Sequence, residues 1–217
     1  DHDEDEDHDE HGHEEGPTTF ENESTEFGVT LDLSNENLTQ KVAFNFAEED
    51  MSIIGEEAFM NPSNSEEFTV GYFLNTKFKE LDVDFGFRFD DITRSGSVTE
   101  EHHDEDEHEE EEEHGEMESY DLDFQTASYA LQVSQDWSDN LKVSLGLSSV
   151  ERAPGAQELF MNGPHLATGR FEVGDVNLRS EVSNNIDFSL DYERDDMFLK
   201  ASFYANTVDN YIYLMDE

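Results

Sequence analysis

Eight stretches of this chain alternate apolar and polar residues with a period of two, which is the period of strands and not of helices. The first three place Phe27, Val29, Leu31 and Leu33, then Val42, Phe44 and Phe46, then Phe68, Val70, Tyr72 and Leu74 on one side. The fourth is the longest, with Leu81, Val83, Phe85, Phe87 and Phe89 set against Asp82, Asp84, Gly86, Arg88 and Asp90. Ala127, Tyr129, Leu131 and Val133 follow, then Leu141, Val143, Leu145 and Leu147. The last two carry Val182, Ile186, Phe188, Leu190 and Tyr192, then Leu199, Ala201, Phe203 and Ala205.

Alternation alone allows a sandwich, with the apolar face inward, or an outer-membrane barrel, with that face toward lipid. The connections separate the two. Short polar joints occur at 34–37, near Lys79-Glu80, at Ser138-Asp139-Asn140 and at Arg194-Asp195-Asp196. Between them lie long connections at roughly 50–66, 94–120 and 151–180. Short turns at one end and long loops at the other are the asymmetry of a transmembrane barrel. The expected fold is therefore all-β: an antiparallel transmembrane β-barrel segment of about eight strands, with short periplasmic turns and long extracellular loops. Strands one and eight both reach the long-loop end, whereas bacterial barrels ordinarily begin and finish on the other side. That parity marks a segment of a larger barrel. Phe78, Trp137 and Tyr192 lie near the short turns, where an aromatic girdle is expected.

Charge is concentrated in two tracts. Residues 1–15 hold 10 acids with His2, His8, His11 and His13, and residues 100–118 hold 13 acids with His102, His103, His108 and His114. Neither tract contains Lys or Arg, and the whole chain has 57 acids against 11 bases for a net charge of −46. Such a balance excludes a nucleic-acid binder, because a phosphate backbone is held by Lys and Arg. With no cysteine, disulfide frameworks, thiolate metal sites and Cys nucleophiles are also excluded. No apolar run reaches the length of a membrane-spanning helix. The opening Asp-His-Asp-Glu has no signal-peptide pattern. Glu151 and Arg152 have no nucleophile–base pair beside them, Ser148-Ser149 fall into strand periodicity, and no Gly-rich phosphate loop occurs, so no enzyme is expected.

The tracts offer carboxylate oxygen and imidazole nitrogen, a donor set suited to Zn²⁺, with Ni²⁺, Cu²⁺ and Mn²⁺ as further divalent candidates. They lack the fixed spacing of a structural site, so binding there is expected to be multivalent and adaptable. The competing reading is a solvated loop in which like charges repel.

Residues 151–178 carry a resemblance. Arg152-Ala153-Pro154, Glu158-Leu159-Phe160 and Gly174-Asp175-Val176-Asn177-Leu178 followed by Glu181 resemble the late-barrel region of TonB-dependent outer-membrane receptors. Asn162-Gly163-Pro164-His165-Leu166-Ala167-Thr168-Gly169 resembles the zinc-uptake (ZnuD-type) branch. So do Ile54-Gly55-Glu56-Glu57-Ala58-Phe59 and Asp209-Asn210-Tyr211-Ile212-Tyr213.

The resemblance implies a barrel of about 22 strands closed by an N-terminal plug. It also implies a TonB box and uptake driven by the inner-membrane TonB complex. Plug and TonB box would then lie outside this sequence. His165 becomes a metal ligand by that likeness, against a plain role in loop packing, and Glu56 or Glu57 joins it at the long-loop end. Zn²⁺ needs three or four donors, so the plug is expected to supply the rest. The expected function is uptake of zinc or another divalent metal across the outer membrane, with barrel lipid and metal ion as partners and the loops outside the cell. Two alternatives remain: a soluble secreted or periplasmic metal-buffering β-domain, and a siderophore receptor of the same family.

Overall fold

A computed structural model describes residues 18–55, 58–100, 116–165 and 169–215. Eight strands form one antiparallel sheet: β1 (Thr19–Asp32), β2 (Leu38–Ile54), β3 (Ser63–Phe78), β4 (Leu81–Glu100), β5 (Glu116–Ser138), β6 (Leu141–Arg152), β9 (Glu181–Arg194) and β10 (Met197–Asp209). They pair in that order, each with its neighbour in sequence apart from the step from β6 to β9. Between those two lie a short helix α1 (Ala156–Phe160) and a small hairpin of β7 (Asn162–His165) and β8 (Arg170–Val173). The eight expected strands are all present. The sheet does not close within this chain, and β1 and β10 are its two edges.

The alternating positions align across the sheet. One row runs Leu74, Phe85, Leu131, Leu147, Ile186 and Ala205, each directly opposite the next. A second runs Thr76, Val83, Val133, Leu145, Phe188 and Phe203. Successive strand residues point to opposite faces, so such rows gather the apolar side chains on one face. This face is left uncovered: Phe27 is 68% exposed and Phe203 63%. A continuous apolar surface of this size is costly in water and suits hydrocarbon.

The opposite face is a polar ladder. Asn206 Nδ2 donates to Asn185 Oδ1 at 2.6 Å, and Asn185 Nδ2 donates to Ser148 Oγ at 3.3 Å. Asn75 donates to Asp84 at 2.7 Å. Asp90, only 3% exposed, accepts from Thr69 Oγ1 at 2.6 Å, from Thr126 Oγ1 at 3.3 Å and from Arg88 Nε at 2.7 Å. A buried carboxylate persists only with such partners.

At the tight end, two-residue turns join β3 to β4, β5 to β6 and β9 to β10. Lys79 and Asp195 take positive φ there, 58° and 53°. Phe78 and Trp137 lie exposed beside these turns. At the other end the strands run further than their alternation. A strand crosses a bilayer in about 9–11 residues, whereas β4 has 20 and β5 has 23. Their outward alternation of apolar residues ends at Phe89 and Ala127. Outward positions beyond pair Asp91 with Gln125, Thr93 with Asp123 and Ser95 with Asp121, the ladder running on to Glu100 opposite Glu116. Strand pairing thus runs into both expected long connections, through 50–54 and 63–66 of the first and through 94–100 and 116–120 of the second. Within the 151–180 connection, α1, β7 and β8 stand where the alternation predicts only a loop.

Candidate functional site

The packed part of the described chain lies at the long-connection end, on the polar face of the sheet. Ile53, Phe59, Met60, Leu159 and Phe160 form a buried cluster, and Val98, Tyr120, Leu122 and Phe124 pack against it. Phe160 is fully buried, and its ring stacks with that of Tyr120 at 6.5 Å between centroids. It occupies the space over Gly96 of β4. A Cβ on Gly96 would stand 2.4 Å from the Phe160 ring, so only glycine leaves room for the helix to dock.

Helix α1 has five residues, too short to be stable alone. Its neighbours hold it. Arg152, the last residue of β6, donates from Nη1 to Glu158 Oε2 at 2.8 Å and from Nη2 to Glu158 Oε1 at 3.1 Å. The same Nη2 reaches Glu181 Oε2 at 3.3 Å. Glu158 also accepts the Gly155 N–H at 2.7 Å, closing the first turn. Burial pushes the Glu158 carboxyl up, but the hydrogen bonds from Arg152 and the Gly155 N–H, with the Arg152 charge, outweigh it and hold the group below its ordinary value.

The β7–β8 hairpin is fastened to segment 58–62. Asn162 donates its backbone N–H to Phe59 O at 2.8 Å, and Met60 and Met161 form an antiparallel bridge. Gly163 lies against Phe59 so closely that an added Cβ would be 2.7 Å from Phe59 Cα. Two asparagines fix both pieces to the top of β4. Asn61 Nδ2 donates to Ser97 O at 3.2 Å and to Thr99 Oγ1 at 3.1 Å, and Asn162 Nδ2 donates to Thr99 O at 2.7 Å.

Of the expected ligands, His165 is placed by its backbone as the last residue of β7, opposite Arg170. Glu56 and Glu57 lie outside the described residues, but Gly55 and Ala58 on either side are placed. Those flanks set Glu57 two residues before Phe59, and Gly163 two residues before His165. The contact between Phe59 and Gly163 brings the chain at Phe59 against β7. His2, His8, His11 and His13 lie outside the described residues, as do His102, His103, His108 and His114. Of the second tract, Glu100 and Glu116–Glu118 belong to strands. Among the described residues, no group of three or more His, Asp or Glu side chains forms a metal site.

Sequence reasoning missed the docking residues Gly96, Asn61 and Asn162 and the role of Glu158. A glycine inside a strand is the signal that flags Gly96; nothing local flags the asparagines.

Over residues 4–217 the sequence matches the family described as TonB dependent receptor-like, beta-barrel. The chain belongs to that family. Its members are outer-membrane proteins of Gram-negative bacteria. Three solved structures share the fold. The hemophore receptor HasR of Serratia marcescens, a double mutant in complex with its hemophore HasA and heme, is 14% identical with a TM-score of 0.59, over 89% of this chain and 33% of that one. The copper transporter OprC is also 14% identical, with a TM-score of 0.66 over 88% of this chain and 32% of its own. The ferric-catecholate import receptor Fiu from K12 E. coli is 10% identical, with a TM-score of 0.59 over 92% and 33%. The receptor chain thus spans about a third of the length of these relatives, and identities this low carry the fold alone.

Proposed function

We propose that this receptor chain is the part of an outer-membrane importer that holds a divalent metal, zinc first, at the barrel mouth before uptake. The observation that carries the reading is the junction of segment 58–62 with β7, where Asn162 donates to Phe59 O and Gly163 packs on Phe59. It joins β7, which ends at His165, to residues 58–62, and His165 with Glu56 or Glu57 would give imidazole nitrogen and carboxylate oxygen, a donor set for zinc. The plug supplies the remaining donors and carries the TonB box through which the inner-membrane complex drives release. The acidic His tracts, on the extracellular side, raise the local cation concentration, an effect that weakens as ionic strength rises. Family membership displaces the alternative of a soluble metal-buffering β-domain.

The test uses the full-length receptor in detergent with both tracts deleted, so that tract histidines do not contribute. Zinc binding by competition with a chromophoric chelator should show a high-affinity site. His165→Ala should remove it, and Glu56→Ala or Glu57→Ala should weaken it about 10-fold or more. Tighter binding of Cu²⁺, Ni²⁺ or Mn²⁺ than of Zn²⁺ reassigns the cargo. Unchanged zinc affinity in the His165 variant makes that residue a packing residue.

A further inference from the structure

The connection between β6 and β9 is folded, yet its helix is a single short turn and its hairpin has only four residues per strand. Neither is stable by itself. The buried cluster and the Asn61 and Asn162 hydrogen bonds hold the unit on the β4 side. On the β6–β9 side a second set of polar contacts meets at one side chain. Arg152 grips both oxygens of Glu158 and reaches Glu181. Glu181 Oε2 in turn accepts the backbone N–H of Ile212 at 3.1 Å, in the segment that follows β10. One guanidinium therefore joins the end of β6, helix α1, the start of β9 and the chain beyond β10. A guanidinium suits this task, since its planar fork bonds two carboxylates at fixed angles where an ammonium would not.

From this arrangement we infer that Arg152 is a positioning residue: a clasp that keeps the 153–178 connection docked in the barrel mouth and so holds the His165 strand against segment 58–62. The path is continuous. Glu158 O accepts the Asp175 N–H at 3.0 Å, and Met161 O accepts the Gly174 N–H at 2.6 Å, tying the helix to the far arm of the hairpin. Asn162, which bonds Phe59, follows Met161 directly. Release of Glu158 lets α1 move, and the hairpin moves with it. Release of Glu181 loosens Ile212 at the same time, so two neighbouring connections respond together. The metal part of this inference rests on the proposed zinc reading; the docking part does not.

Hydrogen exchange on the full-length receptor in detergent, without metal, tests the docking. Arg152→Ala should speed exchange in peptides covering 155–162 and 210–213 while β4 and β5 stay protected. The exchanged pair Arg152→Glu with Glu158→Arg should recover protection at 155–162, because the opposite charges face each other again. Unchanged exchange at 155–162 in Arg152→Ala overturns the clasp. Zinc titration of the same proteins tests the positioning, with an expected loss of about 10-fold in affinity for Arg152→Ala. Faster exchange with unaltered zinc affinity overturns the positioning role. If the parent receptor binds no zinc, the zinc reading fails and the exchange result alone decides the clasp.

Discussion

Glu158 shows how one carboxylate serves as helix cap and as anchor. Its folded value lies below the ordinary one, so it binds fewer protons folded than unfolded. Its contribution to docking is therefore complete above the ordinary carboxylate value and is lost as pH falls through the lowered value. Imidazole behaves differently: it binds metal only when neutral, and its ordinary pKa is about 6.5. Lowering the pH from 7.5 to 5.5 should thus weaken zinc binding at His165 while leaving α1 docked. Parallel zinc titrations and exchange measurements at 155–162 check this. Loss of protection already at pH 5.5 would show that docking depends on some other group. At this scale the sequence displayed the participants but not their pairing: Arg152 and Glu158 stand six residues apart around a proline, with no periodic signal to orient either.

At the scale of elements, the paired strands reach beyond the bilayer, and the second acidic tract interrupts a hairpin. Glu100 of β4 lies opposite Glu116 of β5, and residues 101–114 fall between them in sequence. A segment of that composition buries little apolar surface and adds little to the fold. Deleting 101–114 should therefore leave the paired strands in place. The receptor should keep its folded, heat-modifiable band in electrophoresis and bind fewer metal ions per molecule. Unchanged stoichiometry by calorimetry would return the tract to a solvated loop. The helix and small hairpin between β6 and β9 are elements of another kind. Their residues carry neither a period of two nor a sustained helical period, so they exist only because the sheet offers a surface to pack on.

For the whole molecule, the two faces of the sheet should meet two solvents. Leu81, Val83, Phe85, Phe87 and Phe89 belong to the uncovered apolar face, while Asp82 and Asp84 belong to the hydrogen-bonded polar face. A charged side chain on the lipid face costs several kcal/mol near the bilayer midplane, roughly 2–4 for a cation and less for an acid. Spin labels at Phe85 and Phe87 in the reconstituted full-length receptor should be reached by oxygen dissolved in lipid. Labels at Asp82 and Asp84 should be reached by a water-soluble relaxant. The reverse pattern would turn the barrel inside out and sink the lipid-facing assignment.

What this sequence determines by itself is the sheet. A period of two assigns every side chain to a face, and two-residue turns such as Lys79-Glu80 set the register, because a slip of one residue would move each Phe to the wrong side. Both signals are local, so both survive in a string of letters. The 153–178 connection is decided elsewhere. Phe160 docks because Gly96, far back in β4, has no side chain, and Asn162 finds Thr99 across 63 residues of sequence. Contacts of that kind form only after the sheet has brought its strands together, so the place where His165 stands is a property of the tertiary structure alone.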